Sequence, residues 1–231
     1  MRIQILGHTL ELDPAGAVFL PRWAMLVVAD LHLEKGSTFA RAGCLLPPYD
    51  SHVTLGRLER LITRLQPDTV VSLGDGFHDR EGGSGLSPDL YDRLAALTRA
   101  RRWVWVTGNH DPVVPLALGG AAVVELALDG LVLRHAPIGA AGEIAGHLHP
   151  KARLHTRRRG LSRPCFAADT DRLLLPALGA FTGGLNVLDP AIQRLFPTGF
   201  HAYLLGDERV FRFPHHVLSA EPDALLHRID P

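Results

Sequence analysis

Five short polar clusters hold most of the chemistry this chain can offer: Asp30-Leu31-His32, Gly74-Asp75-Gly76-Phe77-His78-Asp79, Gly108-Asn109-His110-Asp111, Arg134-His135-Ala136-Pro137 and Gly146-His147-Leu148-His149-Pro150. The sequence has 13 histidines, and six of them fall in these blocks beside carboxylates, amides or glycines. The ligand pool is two carboxylates (Asp30, Asp75), one amide oxygen (Asn109) and four imidazoles (His32, His135, His147, His149). That exceeds what one tetrahedral zinc takes. It suits two adjacent ions bridged by a carboxylate, with positions left open for water and a phosphate. Side chains two apart on an extended strand share a face, so Asp30 and His32 could hold one ion, as could His147 and His149. Gly74, Gly108 and Gly146 permit sharp turns and a close approach of backbone to ligand. Taken alone, Asp-x-His also reads as a turn with a hydrogen-bonded histidine, Gly-Asn-His-Asp as a capped turn, and His-x-His carries little weight. Five blocks in this order do not reduce to turn chemistry.

Three clusters follow apolar, strand-like runs at Met25–Ala29, Thr69–Leu73 and 103–107. Between these runs lie helical patterns. Leu58, Leu61, Ile62 and Leu65 recur at i, i+3, i+4, i+7, with Asp50 or Ser51 as the expected N-cap and Pro67 as the stop. A second helix opens on Ser87 as cap and Pro88 at its first position, with Leu90, Leu94 and Leu97 as the buried stripe. Strands alternating with helices specify a layered α/β domain, whose ligands gather at the carboxyl ends of the strands. Beyond about residue 120, short strands are expected at 123–126, Leu131–Arg134, Glu143–Ala145, 152–155, 165–168 and 173–175. Hairpins are expected around Gly7-His8 and Gly206-Asp207. No linker or repeat divides the chain, so residues 1–231 are expected to form one domain with helices outside and two sheets inside.

Composition narrows the class. Lys+Arg and Asp+Glu both number 24 in 231 residues, which excludes a globally basic nucleic-acid coat or a polyacidic surface. A 46% hydrophobic, 21% charged chain can bury a core and lacks the signature of disorder. Cys44 and Cys165 cannot form a disulfide framework or a four-thiolate zinc site. With no signal-peptide pattern and no apolar run of membrane-spanning length, the expectation is a soluble cytoplasmic protein with reduced thiols. One local patch departs from neutrality: Lys151, Arg153, Arg157, Arg158, Arg159 and Arg163 occur without an intervening acid. It reads either as a strip tracking a phosphate backbone, with Arg157, Arg158 and Arg159 at its centre, or as a solvated hairpin loop. Trp23, Phe39 and Tyr49 could stack bases, although single aromatics of this kind more often belong to a core. His215 and His216 read as surface residues.

The ordered blocks Asp-x-His, Gly-Asp, Gly-Asn-His-Asp, a lone His and Gly-His-x-His resemble the calcineurin-like metallophosphoesterase superfamily. The stretches Ala29–Gly36, Gly74–Asp79, Gly108–Pro112, Gly146–Pro150 and Leu175–Leu185 look most like its DNA-ligase-associated branch, described as DNA-damage-response endonucleases. The resemblance covers most of residues 25–185. It implies a four-layered α/β/β/α sandwich around two divalent ions, with manganese expected and iron or zinc as alternatives. One ion would take Asp30, His32, Asp75 and His149. The other would take Asp75, Asn109, His135 and His147, with Asp75 bridging. His110 would act on the leaving group as general acid or cationic stabiliser. Superfamily phosphatases usually carry Gly-Asp-x-x-Asp-Arg-Gly, whereas here His78 stands at the second Asp position and Asp79-Arg80 arrive one residue late. That form is similar to the double-strand-break repair nucleases. It leaves open which of His78, Asp79 or Asp111 orients His110. The resemblance therefore implies a single-strand DNA endonuclease in repair, functionally linked to a DNA ligase and helicase. The alternative is a phosphoesterase acting on nucleotides, small phosphodiesters or phosphoproteins. A catalytically idle binding module is a third reading, but it has no chemical need for seven potential ligands.

Overall fold

The computed structural model describes residues 1–36, 43, 49–78, 85–113, 116–155 and 160–220. Its first sheet runs in the order β1 (Arg2–Ile5), β2 (His8–Leu12), β3 (Val18–Leu20), β4 (Met25–Ala29), β5 (Thr69–Leu73), β6 (Arg102–Val106), β7 (Ala121–Val123). The strands from β4 to β7 are parallel, in a register that aligns Ala29 with Leu73 and Leu73 with Val106. The second sheet comprises β8 (Glu125–Leu128), β9 (Leu131–Arg134), β10 (Glu143–Ala145), β11 (Lys151–His155), β12 (Gly160–Ala168), β13 (Leu173–Leu174), β14 (His201–Leu205) and β15 (Val210–Pro214). Its spatial order is β15-β14-β12-β13-β10-β9-β8, with β11 paired to β12. Here β9 and β10 are parallel, and Ala145 aligns with Arg134. The clusters that follow β4, β5, β6, β9 and β10 therefore all leave carboxyl ends of parallel strands.

Alternation along the strands builds the layers. Met25, Val27 and Ala29 face Leu131, Leu133, Ile144 and Phe166 across the inter-sheet core. Leu26 and Val28 face the other way, toward α1 (Asp50–Leu65) and α2 (Pro88–Arg99), which bury Leu55, Leu58, Leu61, Ile62, Leu90 and Leu94. A strand packed on both faces reads as a continuous apolar run, as these do. The far face of the second sheet is covered by the one-turn α3 (Pro190–Gln193) and by Leu195, Phe196 and Phe200. The result is the expected α/β/β/α sandwich, with a thin fourth layer. No helix among the described residues is long and apolar enough to cross a membrane.

Several boundaries differ from the sequence reading. Tyr49, rather than Asp50 or Ser51, is the N-cap of α1. The two polar side chains are used elsewhere: Ser51 Oγ accepts from the Glu34 N–H at 2.7 Å and Asp50 Oδ2 from the Gly36 N–H at 3.0 Å. Ser87 does cap α2, accepting from the Leu90 N–H. The strand expected at 123–126 is split, because the chain passes from β7 in one sheet to β8 in the other at Val124, which is 78% exposed. The short strand β3 and helix α3 leave no signature in the sequence; at three and four residues, neither shows a period.

Candidate metal centre

Two triads of candidate metal ligands converge where the two sheets' strand ends meet: Asp30, His32 and His149 in one, Asp75, His135 and His147 in the other. In the first, His149 Nε2 lies 3.3 Å from Asp30 Oδ1 and 3.3 Å from His32 Nε2. In the second, His135 Nε2 lies 2.8 Å from Asn109 Oδ1, 3.0 Å from His147 Nδ1 and 3.4 Å from Asp75 Oδ2. The same Asp75 Oδ2 is 4.0 Å from His32 Nε2, so this carboxylate stands between the triads. All seven sequence-derived ligands are thus brought together. The grouping by spacing is half corrected: Asp30 and His32 do share a triad, but His147 and His149 face different ones.

The cause of Asp30–His32 proximity also differs from the extended-strand argument. Strand β4 ends at Ala29, and Asp30 and His32 have φ of +54° and +42°, with Asp75, His147 and His149 also left-handed at +46°, +72° and +45°. Non-glycine residues avoid this region, at a cost on the order of 1 kcal/mol or more each. Five strained ligands in one cluster mark a site whose geometry is imposed by the surrounding fold. Glycines make the crowding possible. A Cβ on Gly108 would strike Asp75, and one on Gly74 would strike the His135 ring.

Backbone groups fix the ligands. The Asp75 Oδ1 accepts from the His110 N–H at 2.9 Å, which turns Oδ2 toward the imidazoles. Asp30 Oδ2 accepts from the His147 N–H at 2.9 Å, and its Oδ1 is buried without a hydrogen-bond partner. His135 Nδ1 donates to the Leu73 carbonyl at 3.0 Å, aiming Nε2 into the cluster, the usual second-partner arrangement of a metal-binding histidine. Asp111 is almost wholly buried. Its two oxygens accept from four N–H groups, those of Asp75, Gly76, Phe77 and Gly108, at 2.7–3.2 Å. It therefore ties the loop after β5 to the loop after β6.

The donor set fits divalent cations. An orphaned buried carboxylate oxygen and imidazole nitrogens facing one another need a positive centre that protons supply poorly. Burial, reinforced by the neighbouring His149, drives His32 down to about 3, leaving it a neutral ligand at pH 7. Burial works against the charge on His135, but the Asp75 and Asp30 carboxylates prevail and raise it to about 9. Although burial opposes ionisation of Asp75, its bond to His135 holds it at about 2. Burial, with the charge of Asp75, lifts Asp111 to about 6 despite its N–H partners. The mixture of imidazole and oxygen donors suits manganese, iron or zinc better than magnesium.

Beside the Asp30–His32–His149 triad, the rings of His78 and His110 stack at 5.2 Å and 17°, and His110 meets the edge of His32 at 5.4 Å. His78 Nδ1 lies 3.4 Å from His32 Nδ1. Asp79 and the central arginines of the strip, Arg157, Arg158 and Arg159, lie outside the described residues. One positioning segment was visible in sequence only through resemblance: residues 178–185, where the N–H groups of Leu178 and Gly179 donate to the carbonyls of Ala29 and Asp30 at 2.9 and 3.1 Å.

A family model described as calcineurin-like phosphoesterase matches residues 25–173. Among solved structures, the chain is similar to the Pseudomonas putida nuclease MPE, with 28% identity and a TM-score of 0.71 over 91% of this chain and 99% of that one. A second similar structure is Yfce, a phosphoesterase from E. coli, at 15% identity and a TM-score of 0.41 over 82% of this chain and 98% of that one. No curated protein sequence matches the chain.

Proposed function

The chain belongs to the calcineurin-like phosphoesterase family, and from that premise we propose that it is a manganese-dependent nuclease cleaving single-stranded DNA at a two-metal centre. The phosphoester chemistry follows from family and site together: two triads of candidate ligands, with Asp75 of one 4.0 Å from His32 of the other, are a metal-dependent hydrolase's equipment. The substrate rests on one observation, the likeness to a nuclease across nearly the whole of both chains.

Asp30, His32, Asp75 and His149 would hold one cation, and Asp75, Asn109, His135 and His147 the other. When bound, the pair supplies Lewis acidity toward phosphoryl oxygens and lowers the pKa of a water for in-line attack. The chain's own residues do the rest. His110 stands over the leaving oxygen and donates a proton to it or stabilises its developing charge. Its backbone is held by Asp75, and its ring is oriented by the parallel face of His78. Asp111 acts through the loops it joins, keeping Asp75 and His110 in register. A reducing, cytoplasmic setting and a functional link to a DNA ligase and helicase belong to the same proposal; the buried free thiol of Cys165 is compatible with the first.

The test is incubation of the purified chain with end-labelled single-stranded and duplex DNA and manganese, beside a chromogenic phosphodiester and a nucleotide monoester. Cleavage of single strands that stops on chelation supports the proposal. Turnover of the small esters without any DNA cleavage would replace it with the small-substrate phosphoesterase.

A further inference from the structure

A groove of about 790 Å³ lies between α1 on one side and the β11–β12 pair on the other. Arg57, Arg60, Lys151 and Arg163 line it, against a single acid, Asp207. In a chain of zero formal net charge this is a marked local excess of cations. Among the described residues, none of the four is paired with a carboxylate; Arg57 donates instead to the Leu178 carbonyl at 3.0 Å. Arg60 and Arg163 are exposed.

The groove is physically joined to the ligands. Lys151 lies two residues beyond His149. The wall formed by residues 179–182 is bonded at one end to Asp30, through the Gly179 N–H, and the chain beyond it to Leu148, through the Leu185 N–H at 3.2 Å. At the crest of that wall stands Phe181. It is 51% exposed and has φ of +58°. An aromatic side chain half exposed on left-handed backbone, in the same groove as four cations, has no packing explanation. Cations that follow a backbone and an aromatic face that accepts any base are the two elements of single-strand binding.

We infer that this groove is the path along which single-stranded DNA reaches the metal centre, with Arg57, Arg60, Lys151 and Arg163 on its phosphates and Phe181 stacked on a base. The inference rests on the nuclease reading above. It assigns substrate contacts to residues other than Arg157, Arg158 and Arg159.

The test measures binding of fluorescein-labelled oligothymidylate by anisotropy in EDTA, where affinity is read without cleavage. The double variant Arg60→Glu/Arg163→Glu, at two exposed positions, should lose affinity by roughly tenfold or more, and its log–log salt slope should be shallower by about 1.4, two contacts at about 0.7 each. Arg60→Lys/Arg163→Lys should keep the slope. Phe181→Ala should weaken binding by about tenfold at every salt concentration with the slope preserved, and Phe181→Tyr should restore it. Wild-type affinity and slope in both the Glu variant and Phe181→Ala would overturn the inference, as would a wild type that does not bind the oligonucleotide. The two readings fail separately. Binding through these residues without cleavage in manganese removes the nuclease and keeps the groove. Wild-type DNA cleavage at subsaturating substrate in the groove variants removes the groove and keeps the nuclease.

Discussion

At the scale of single residues, the proposed function separates groups that would hold cations from a group that would work on the substrate. His110 touches Asp75 only through its backbone N–H. His110→Ala should therefore retain its metal content while turnover falls by roughly 10²- to 10⁴-fold, the span of a positioned acid. Comparing substrates with good and poor leaving groups checks this: a phenolate ester should recover part of the loss, and equal losses on both would assign His110 another role. His135 gives the site a pH dependence of definite sign. Its ordinary value of 6.5 is raised to about 9 by the facing carboxylates. The protonated ring stabilises the metal-free fold fully below 6.5, and that contribution is lost as pH rises through about 9. A cation needs the neutral ring, so affinity at the Asp75–His135–His147 triad should rise about tenfold per pH unit below that value. Manganese titrations at pH 6.5 and 7.5 read this directly, and equal affinities would mean that His135 is already neutral.

At the scale of elements, the strand ends depend on one buried carboxylate. Asp111 collects four N–H groups from two loops, and removing it leaves three buried donors and one half-buried donor without their partner. Asp111→Ala should cost about 3–5 kcal/mol and weaken metal binding as Asp75 and the His110 backbone drift apart. Thermal melts with and without manganese measure both effects; a variant that melts like the wild type in both conditions would show that the loops hold without it. This role was only partly legible in the sequence. The block Gly108-Asn109-His110-Asp111 announces a turn at a strand end, but which side chain ligates, which donates and which braces depends on contacts with a loop more than thirty residues away. The long parallel strands and both large helices were legible because their apolar periods span several turns or a full strand. The use of Asp50 and Ser51 was not, because local capping patterns are silent about a tertiary competitor such as the 34–36 backbone.

At the scale of the whole molecule, the sandwich is what turns five separated motifs into one centre. The first sheet delivers Asp30, Asp75 and Asn109, the second delivers His135, His147 and His149, and the inter-sheet core fixes the distance between them. Which residues converge could be read from residue types and order. Their grouping into triads came from the family resemblance and not from spacing, because left-handed backbone at Asp30, His32, His147 and His149 breaks the strand alternation on which spacing arguments rely. A two-cation centre organised around Asp75 fixes how many manganese ions the chain binds, and native mass spectrometry of the manganese-loaded chain counts them. The wild type should carry two ions, Asn109→Ala should hold one of them more weakly, and Asp75→Ala should lose both together with activity. A wild type that binds a single ion at saturation, or an Asp75→Ala variant that keeps two ions and full activity, would contradict the account.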